Sequence, residues 1–122
     1  MARTILGVVA GLVAWFVVTT AAGLVLRLSW PAYVRVADTM AFTLPMMAAR
    51  LAIGAAATVA TGMTSARIAR APVTKLAPGI LLLLFFIPVH VSIWEKFPIW
   101  YHVTFLLSLV PLTYAGNRLV GA

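Results

Sequence analysis

The chain has no cysteine and only two acidic residues, Asp38 and Glu95, in 122 positions. The first absence excludes disulfides, thiol nucleophiles and Cys-ligated metal sites. The second removes the intramembrane carboxylate on which proton-coupled antiporters usually rely, because neither acid falls inside a long apolar run. No Gly-rich phosphate loop, GxSxG or HExxH occurs, so none of the common phosphate, serine-hydrolase or zinc-protease chemistries has its framework. Scattered Ser and Thr with two His give no nucleophile–base spacing, and no enzymatic activity is expected. Charge of any kind is scarce at 9%, against about a quarter in soluble domains.

What fills the chain is apolar: 64% of residues are hydrophobic and the mean hydropathy is +1.10. A soluble domain this small could not bury so much, so its solvent is expected to be lipid. Four uncharged or nearly uncharged stretches, about residues 4–26, 44–66, 76–94 and 99–118, approach or exceed the roughly 20 residues that cross ~30 Å of hydrocarbon as a helix. The expected fold is therefore all-α, a single membrane domain built as a bundle of four transmembrane helices with short loops. The first stretch follows Arg3 as a signal peptide would, but it exceeds the usual apolar core of ~7–15 residues, and it is expected to be a retained helix.

The net charge of +7 and pI of about 11.3 suggest nucleic acid in a soluble chain. Here the Lys and Arg stand singly between apolar blocks, a pattern that sets membrane orientation instead, and no nucleic-acid partner is expected. Arg3, Arg67, Arg70, Lys75 and Arg118 fall on one side of a four-span topology, against Arg27, Arg35 and Lys96 on the other. The positive-inside rule then places both termini in the cytoplasm of a cell membrane, of the bacterial inner-membrane kind.

Small residues recur at four-residue spacing. Gly7 and Gly11 make one stripe on the first helix, and Gly54, Thr58 and Gly62 make another on the second. Such stripes let backbones approach closely, within the chain or against a membrane-protein partner or second copy. Pro88 and Pro111 fall inside the third and fourth helices, where each frees a carbonyl one turn back and favours a kink. Between the first two spans, Trp30, Pro31 and Tyr33 suggest an interfacial aromatic belt with a short surface helix over about 32–40.

One residue does not fit its surroundings. Arg50 lies inside the second apolar stretch, where a guanidinium near mid-bilayer costs roughly 2.5–3.5 kcal/mol on insertion scales. It must turn inward, pair, or reach an interface; a start near residue 44 puts it about 9 Å along the helix at ~1.5 Å per residue. His90 and His102 fall at comparable depth on the third and fourth helices, which a short turn joins. Asp38 and Glu95, in the adjoining loops, are candidate charge partners of Arg50.

The three bases form a polar cluster in the half of the bundle away from the termini. It reads in three ways: an aromatic-belt neighbourhood with Arg50 snorkelling or ion-paired, an anion site or transport path, or a two-histidine haem or metal site. No HxxxH spacing supports the last, and no cofactor is expected.

In length and span count the chain resembles the small multidrug-resistance transporters and the small fluoride channels. Residues 4–26 lack both the glutamate of the former and the Gly-rich, Arg-containing opening of the latter, so the resemblance ends at size and carries over no residue. The leading functional expectation is a non-enzymatic accessory or assembly component in the bilayer. The alternatives are a small homo-oligomeric transporter or channel with Arg50 facing an anion, and a haem or metal carrier using His90 and His102.

Overall fold

The computed structural model describes residues 2–121. Among them run five α-helices: α1 (Ala2–Ser29), α2 (Pro31–Ala37), α3 (Leu44–Ile68), α4 (Pro72–Ser92) and α5 (Ile99–Gly121), with a single 3₁₀ turn, Trp94–Lys96, between the last two. The four long helices are each long and apolar enough to cross a membrane. Their outward faces carry side chains such as Val17, 60% exposed, and Leu107, 70% exposed. Apolar surface in that amount belongs against hydrocarbon, and the fold is an all-α bundle of a multi-pass membrane protein.

Helix α3 is the hub. It packs extensively on α1 and α5, while α4 packs mainly on α5 and meets α1 only sparsely. The sequence explains the asymmetry, because α3 carries the small residues. A Cβ on Gly7 or Gly11 of α1 would press on Ser65, Thr61 or Ala69 of α3, and one on Gly62 would run into the α5 backbone at Thr113 and Asn117. Gly116 of α5 lies against the backbone of Val59 in the same seam. Where backbones come this close, short polar side chains bridge them: Ser65 Oγ donates to the Gly7 carbonyl at 2.8 Å, and Trp15 Nε1 donates to Thr58 Oγ1 at 3.1 Å. Trp15, Ala57, Leu82, Phe86, Phe105 and Leu109 form the buried centre of the bundle.

The helices extend beyond the apolar stretches, and the ends show why. At the end carrying both termini, Arg3 Nε donates to the Ile68 carbonyl and Arg70 donates to that of Val120, satisfying terminal carbonyls of α3 and α5. Helix α4 begins at Pro72, a turn earlier than expected. Thr74 Oγ1 faces the Ala69 and Ala71 carbonyls at 2.9 and 2.8 Å, closing the connection over 69–71. The connection left between the stretches 44–66 and 76–94, which carries Arg67, Arg70 and Lys75, is thus mostly helix, with Arg67 in the last turn of α3 and Lys75 in the first turn of α4.

Pro78 therefore sits inside α4, not in its first turn. A proline there strips the carbonyl four residues back of its donor, and that carbonyl is Thr74. Asn117 Nδ2 of α5 supplies the missing hydrogen bond at 3.0 Å. Pro88 and Pro111 likewise lie within unbroken helices.

At the opposite end α2 is shorter than the surface helix expected over 32–40. It stops at Ala37, and Met40 takes a left-handed φ of 57° as the chain turns back toward α3. This turn, with α2, folds over the end of the bundle and covers Arg50.

Candidate functional site

Arg50 lies two turns into α3, held in place by four aromatic side chains. Its Nη1 donates to the Tyr33 hydroxyl at 2.7 Å and its Nε donates to the Tyr101 hydroxyl at 3.2 Å. The guanidinium carbon stands 4.7 Å from the Phe42 ring centre and 5.7 Å from that of Phe97, within the range of cation–π attraction. The rings brace one another: Tyr33 stacks on Phe42 at 5.0 Å and Phe97 on Tyr101 at 4.3 Å. Together with Met46 they make a second buried cluster, capping the bundle at the α2 end.

This arrangement corrects the ion pair weighed from the sequence. Arg50's partners are two neutral phenols and two phenyl faces, and neither Asp38 nor Glu95 is among them. It also corrects the reading of Tyr33 as an interfacial belt residue, and Tyr101 joins it in the interior. Both are buried, at 5% and 4% exposure, whereas Trp94 and Trp100 are over two-fifths exposed. Phe42 and Phe97 escaped notice in the sequence altogether. A signal was present: with no acid inside the spans, an embedded guanidinium needs neutral acceptors, and phenols at the helix ends are the residue type that supplies them.

His90 and His102 do meet. Their Nδ1 atoms are 2.6 Å apart, and His102 Nε2 lies 3.0 Å from the Trp94 carbonyl oxygen. A carbonyl only accepts, so His102 Nε2 carries the proton and its Nδ1 presents a lone pair. His90 Nδ1 must then be the donor to it, which leaves a lone pair at His90 Nε2. Aromatic rings lock the pair in place: Trp94 stacks on His102 at 4.4 Å and Phe105 on His90 at 4.7 Å. In this geometry both His102 nitrogens are occupied and the two Nδ1 atoms face each other, so they do not converge on a common metal position. Among the described residues no group of three or more His, Cys, Asp or Glu is placed to hold a metal ion.

Arg50, Tyr33, Tyr101 and His90 line one partly open cavity of about 180 Å³. Its remaining walls come from every long helix, including Gly23 and Leu26 of α1, Gly54 of α3 and Val89 of α4, with Ile93 just past the end of α4. Its floor is Trp15, Phe86 and Phe105, packed edge-on and tilted within 4.6–6.3 Å of one another. The floor offers no free donor, since Trp15 Nε1 is spent on Thr58 and the Thr19 hydroxyl on the Trp15 and Phe16 carbonyls.

The α2 end of the cavity is the reverse. A guanidinium has five N–H donors, and the Nε–H and one Nη1–H are engaged, leaving the second Nη1–H and both Nη2–H. Each phenol accepts from Arg50 and retains its own O–H. The cavity is therefore a dipolar space, rich in donors and positive at one end and apolar at the other.

The small-residue positions serve the scaffold. Gly7, Gly11 and Gly62 sit in the close approaches already described, and Gly54 admits the Phe105 ring, which would lie 3.0 Å from a Cβ there. Thr58 is fully buried, donating to the Gly54 carbonyl at 2.7 Å. Gly23 is the exception, with no atom within 4 Å of where its Cβ would be, because it fronts the cavity.

No protein family, curated protein or solved structure matches this chain.

Proposed function

We propose that the protein is a non-enzymatic, multi-pass protein of a bacterial-type inner membrane that binds an anionic group at Arg50, with both termini in the cytoplasm. The observation that carries this reading is the uncompensated guanidinium. Arg50 is embedded in a span, its partners among the described residues are neutral, and its unused N–H groups share a cavity with two phenol donors. A charge placed there without a counter-ion is costly, and an acceptor-rich anion relieves that cost while satisfying the donors. This is the second of the three readings weighed from the sequence, as a binding site and not as a demonstrated path.

The accessory or assembly reading allowed the small-residue stripes to pack either within the chain or against a partner, and a docking role for them would need the stripes to be uncovered. Gly7, Gly11, Gly54 and Gly62 are covered by the chain's own helices, so that reading lacks its surface. The haem or metal reading needs two imidazole lone pairs aimed at one point, and the His90–His102 hydrogen bond uses one of them.

Arg50 is tested by substitution. Purified wild-type protein should be stabilised by inorganic phosphate, with a shift following RT ln(1 + [L]/Kd), about 2.7 kcal/mol at a hundredfold excess over Kd. Arg50→Lys should keep part of the shift, because it preserves charge and loses the planar fork. Arg50→Leu should show none. Equal shifts in all three proteins would remove Arg50 from the site.

Orientation is tested separately. Cysteines introduced as Ala71→Cys and Ala32→Cys should label with an impermeant maleimide from opposite sides, Ala71→Cys only after the cytoplasmic face is opened. Labelling of Ala71→Cys in intact cells would invert the topology.

A further inference from the structure

The cavity says more about its ligand than the sign of the charge. Its free donors are those of Arg50, Tyr33 and Tyr101 under α2, the His90 ring adds an imidazole edge between them and Phe105, and the Trp15, Thr19 and Thr58 donors at the floor already have partners within the protein. A small hydrated anion would find half of the lining hostile. The volume, about 180 Å³, modestly exceeds the ~150 Å³ that holds a benzene ring in an engineered protein cavity. It therefore accommodates a compact head and the first part of a chain, not a whole lipid.

The remainder has a way out. Helices α1 and α4 meet sparsely, and the cavity wall along that seam is Gly23, Leu26, Val89 and Ile93. None of these carries a side-chain polar group that would resist an acyl chain, and at Gly23 there is open space where a side chain would begin.

The donors left at the head end also discriminate. Three guanidinium N–H groups and two phenol O–H groups exceed the roughly four lone-pair sites of a carboxylate, whereas a phosphate monoester brings three strong acceptor oxygens and up to two negative charges. We infer that the site takes a phosphate-headed amphiphile from the bilayer, its head on Arg50, Tyr33 and Tyr101 and its chain leaving sideways between α1 and α4 past Gly23. The inference rests on the anion-binding reading of Arg50 and adds the ligand class and the route.

The floor tryptophan reports on it. In a chain carrying Trp30→Phe, Trp94→Phe and Trp100→Phe, Trp15 is the sole indole. This protein, reconstituted in phosphatidylcholine vesicles, is compared with a small mole fraction of chain-brominated phosphatidic acid or of equally brominated phosphatidylcholine. The expected result is at least twofold stronger quenching of Trp15 by the phosphatidic acid. That excess should vanish in Arg50→Leu, persist in part in Arg50→Lys, and vanish in Gly23→Phe, which places a ring in the seam and leaves the guanidinium's own donors in place. Glycerol 3-phosphate, which engages the head site without a chain, should relieve it only at a large excess over the phosphatidic acid.

Should brominated phosphatidic acid give no excess while glycerol 3-phosphate stabilises the wild type and not Arg50→Leu, the lateral amphiphile falls and the anion site stands. Excess quenching that survives Gly23→Phe would overturn the α1–α4 route. If neither probe depends on Arg50, both the inference and the reading beneath it fall. Should the triple background not fold, native mass determination of the unmodified chain decides the matter. Retention of phosphatidic acid in preference to phosphatidylcholine supports the amphiphile, and equal retention overturns it.

Discussion

Gly62→Ala and Gly116→Ala should each loosen the bundle by about 1–3 kcal/mol, the usual range for forcing extra volume into a packed core, while Gly23→Ala should be neutral or mildly stabilising. All three are half-buried or buried helical glycines differing in what stands opposite them. A Cβ at Gly62 would overlap the Thr113 carbonyl and come within 2.7 Å of the Asn117 nitrogen; one at Gly116 would meet the Val59 backbone, its carbonyl carbon at 2.9 Å. Backbone cannot rotate aside, so α3 and α5 must separate along their seam. At Gly23 nothing lies within 4 Å, and only the ordinary gain of replacing a helical glycine remains, about 0.5–1 kcal/mol. Because both damaging substitutions widen one seam, the double variant should lose less than the sum of the singles. Unfolding by SDS in mixed micelles, followed by circular dichroism, reads all four. Equal midpoint shifts for Gly23→Ala and Gly62→Ala would show that the seam is not as tight as described.

The same contrast marks what could be read without coordinates. Four spans, short loops and a close-packing stripe on the second helix followed from apolar run lengths and from the small residues between Gly54 and Gly62, properties that are local in the chain. Which small residues face another helix is not local. Gly23 and Gly62 look alike in sequence, and only the packing separates a cavity wall from a backbone contact. The early start of α4 was also out of reach. Pro78 reads as a first-turn proline unless one knows that Asn117, distant in sequence, supplies the hydrogen bond it removes.

At the site, Arg50, His90 and His102 stood out because each is a rare residue type at that depth, and comparable depth on joined helices brought the two imidazoles together. The cage did not stand out. Tyr33, Phe42, Phe97 and Tyr101 lie where an interfacial belt would also place aromatics, and composition cannot tell a ring turned to lipid headgroups from one turned onto a guanidinium. The exposed Trp94 and Trp100 do fit a belt. The acids misled for the converse reason: Asp38 and Glu95 are the obvious counter-ions by charge, yet α2 and α5 present the Tyr33 and Tyr101 hydroxyls to Arg50, and the connections after α2 and after the 3₁₀ turn present the Phe42 and Phe97 rings.

Removing the two phenols together should destabilise the protein more than removing the arginine they hold, and deleting the arginine as well should restore much of what was lost. Hydrogen bonds to a charged group contribute about 1.5–3 kcal/mol each, so Tyr33→Phe and Tyr101→Phe combined should cost at least about 3 kcal/mol. The guanidinium would keep only ring faces, worth roughly 0.5–2 kcal/mol, and whatever water the cavity admits. Arg50→Leu alone removes the charge with its bonds, leaving two phenols able to bond water in a space far larger than the 10–15 Å³ one water requires.

In the double-phenylalanine background, Arg50→Leu replaces a half-buried cation that has lost its acceptors by an apolar side chain among apolar neighbours. There the substitution should be stabilising, the opposite sign to its effect in the wild type. The sign decides between two physical states of Arg50. If it is held by the cage, the cycle shows a favourable coupling of more than ~1 kcal/mol between the arginine and the phenols. Were the guanidinium instead reaching bulk water past α2, loss of the phenols would shift the SDS midpoint by less than about 0.5 kcal/mol, as expected for an exposed polar contact, and Arg50→Leu would have the same effect in both backgrounds.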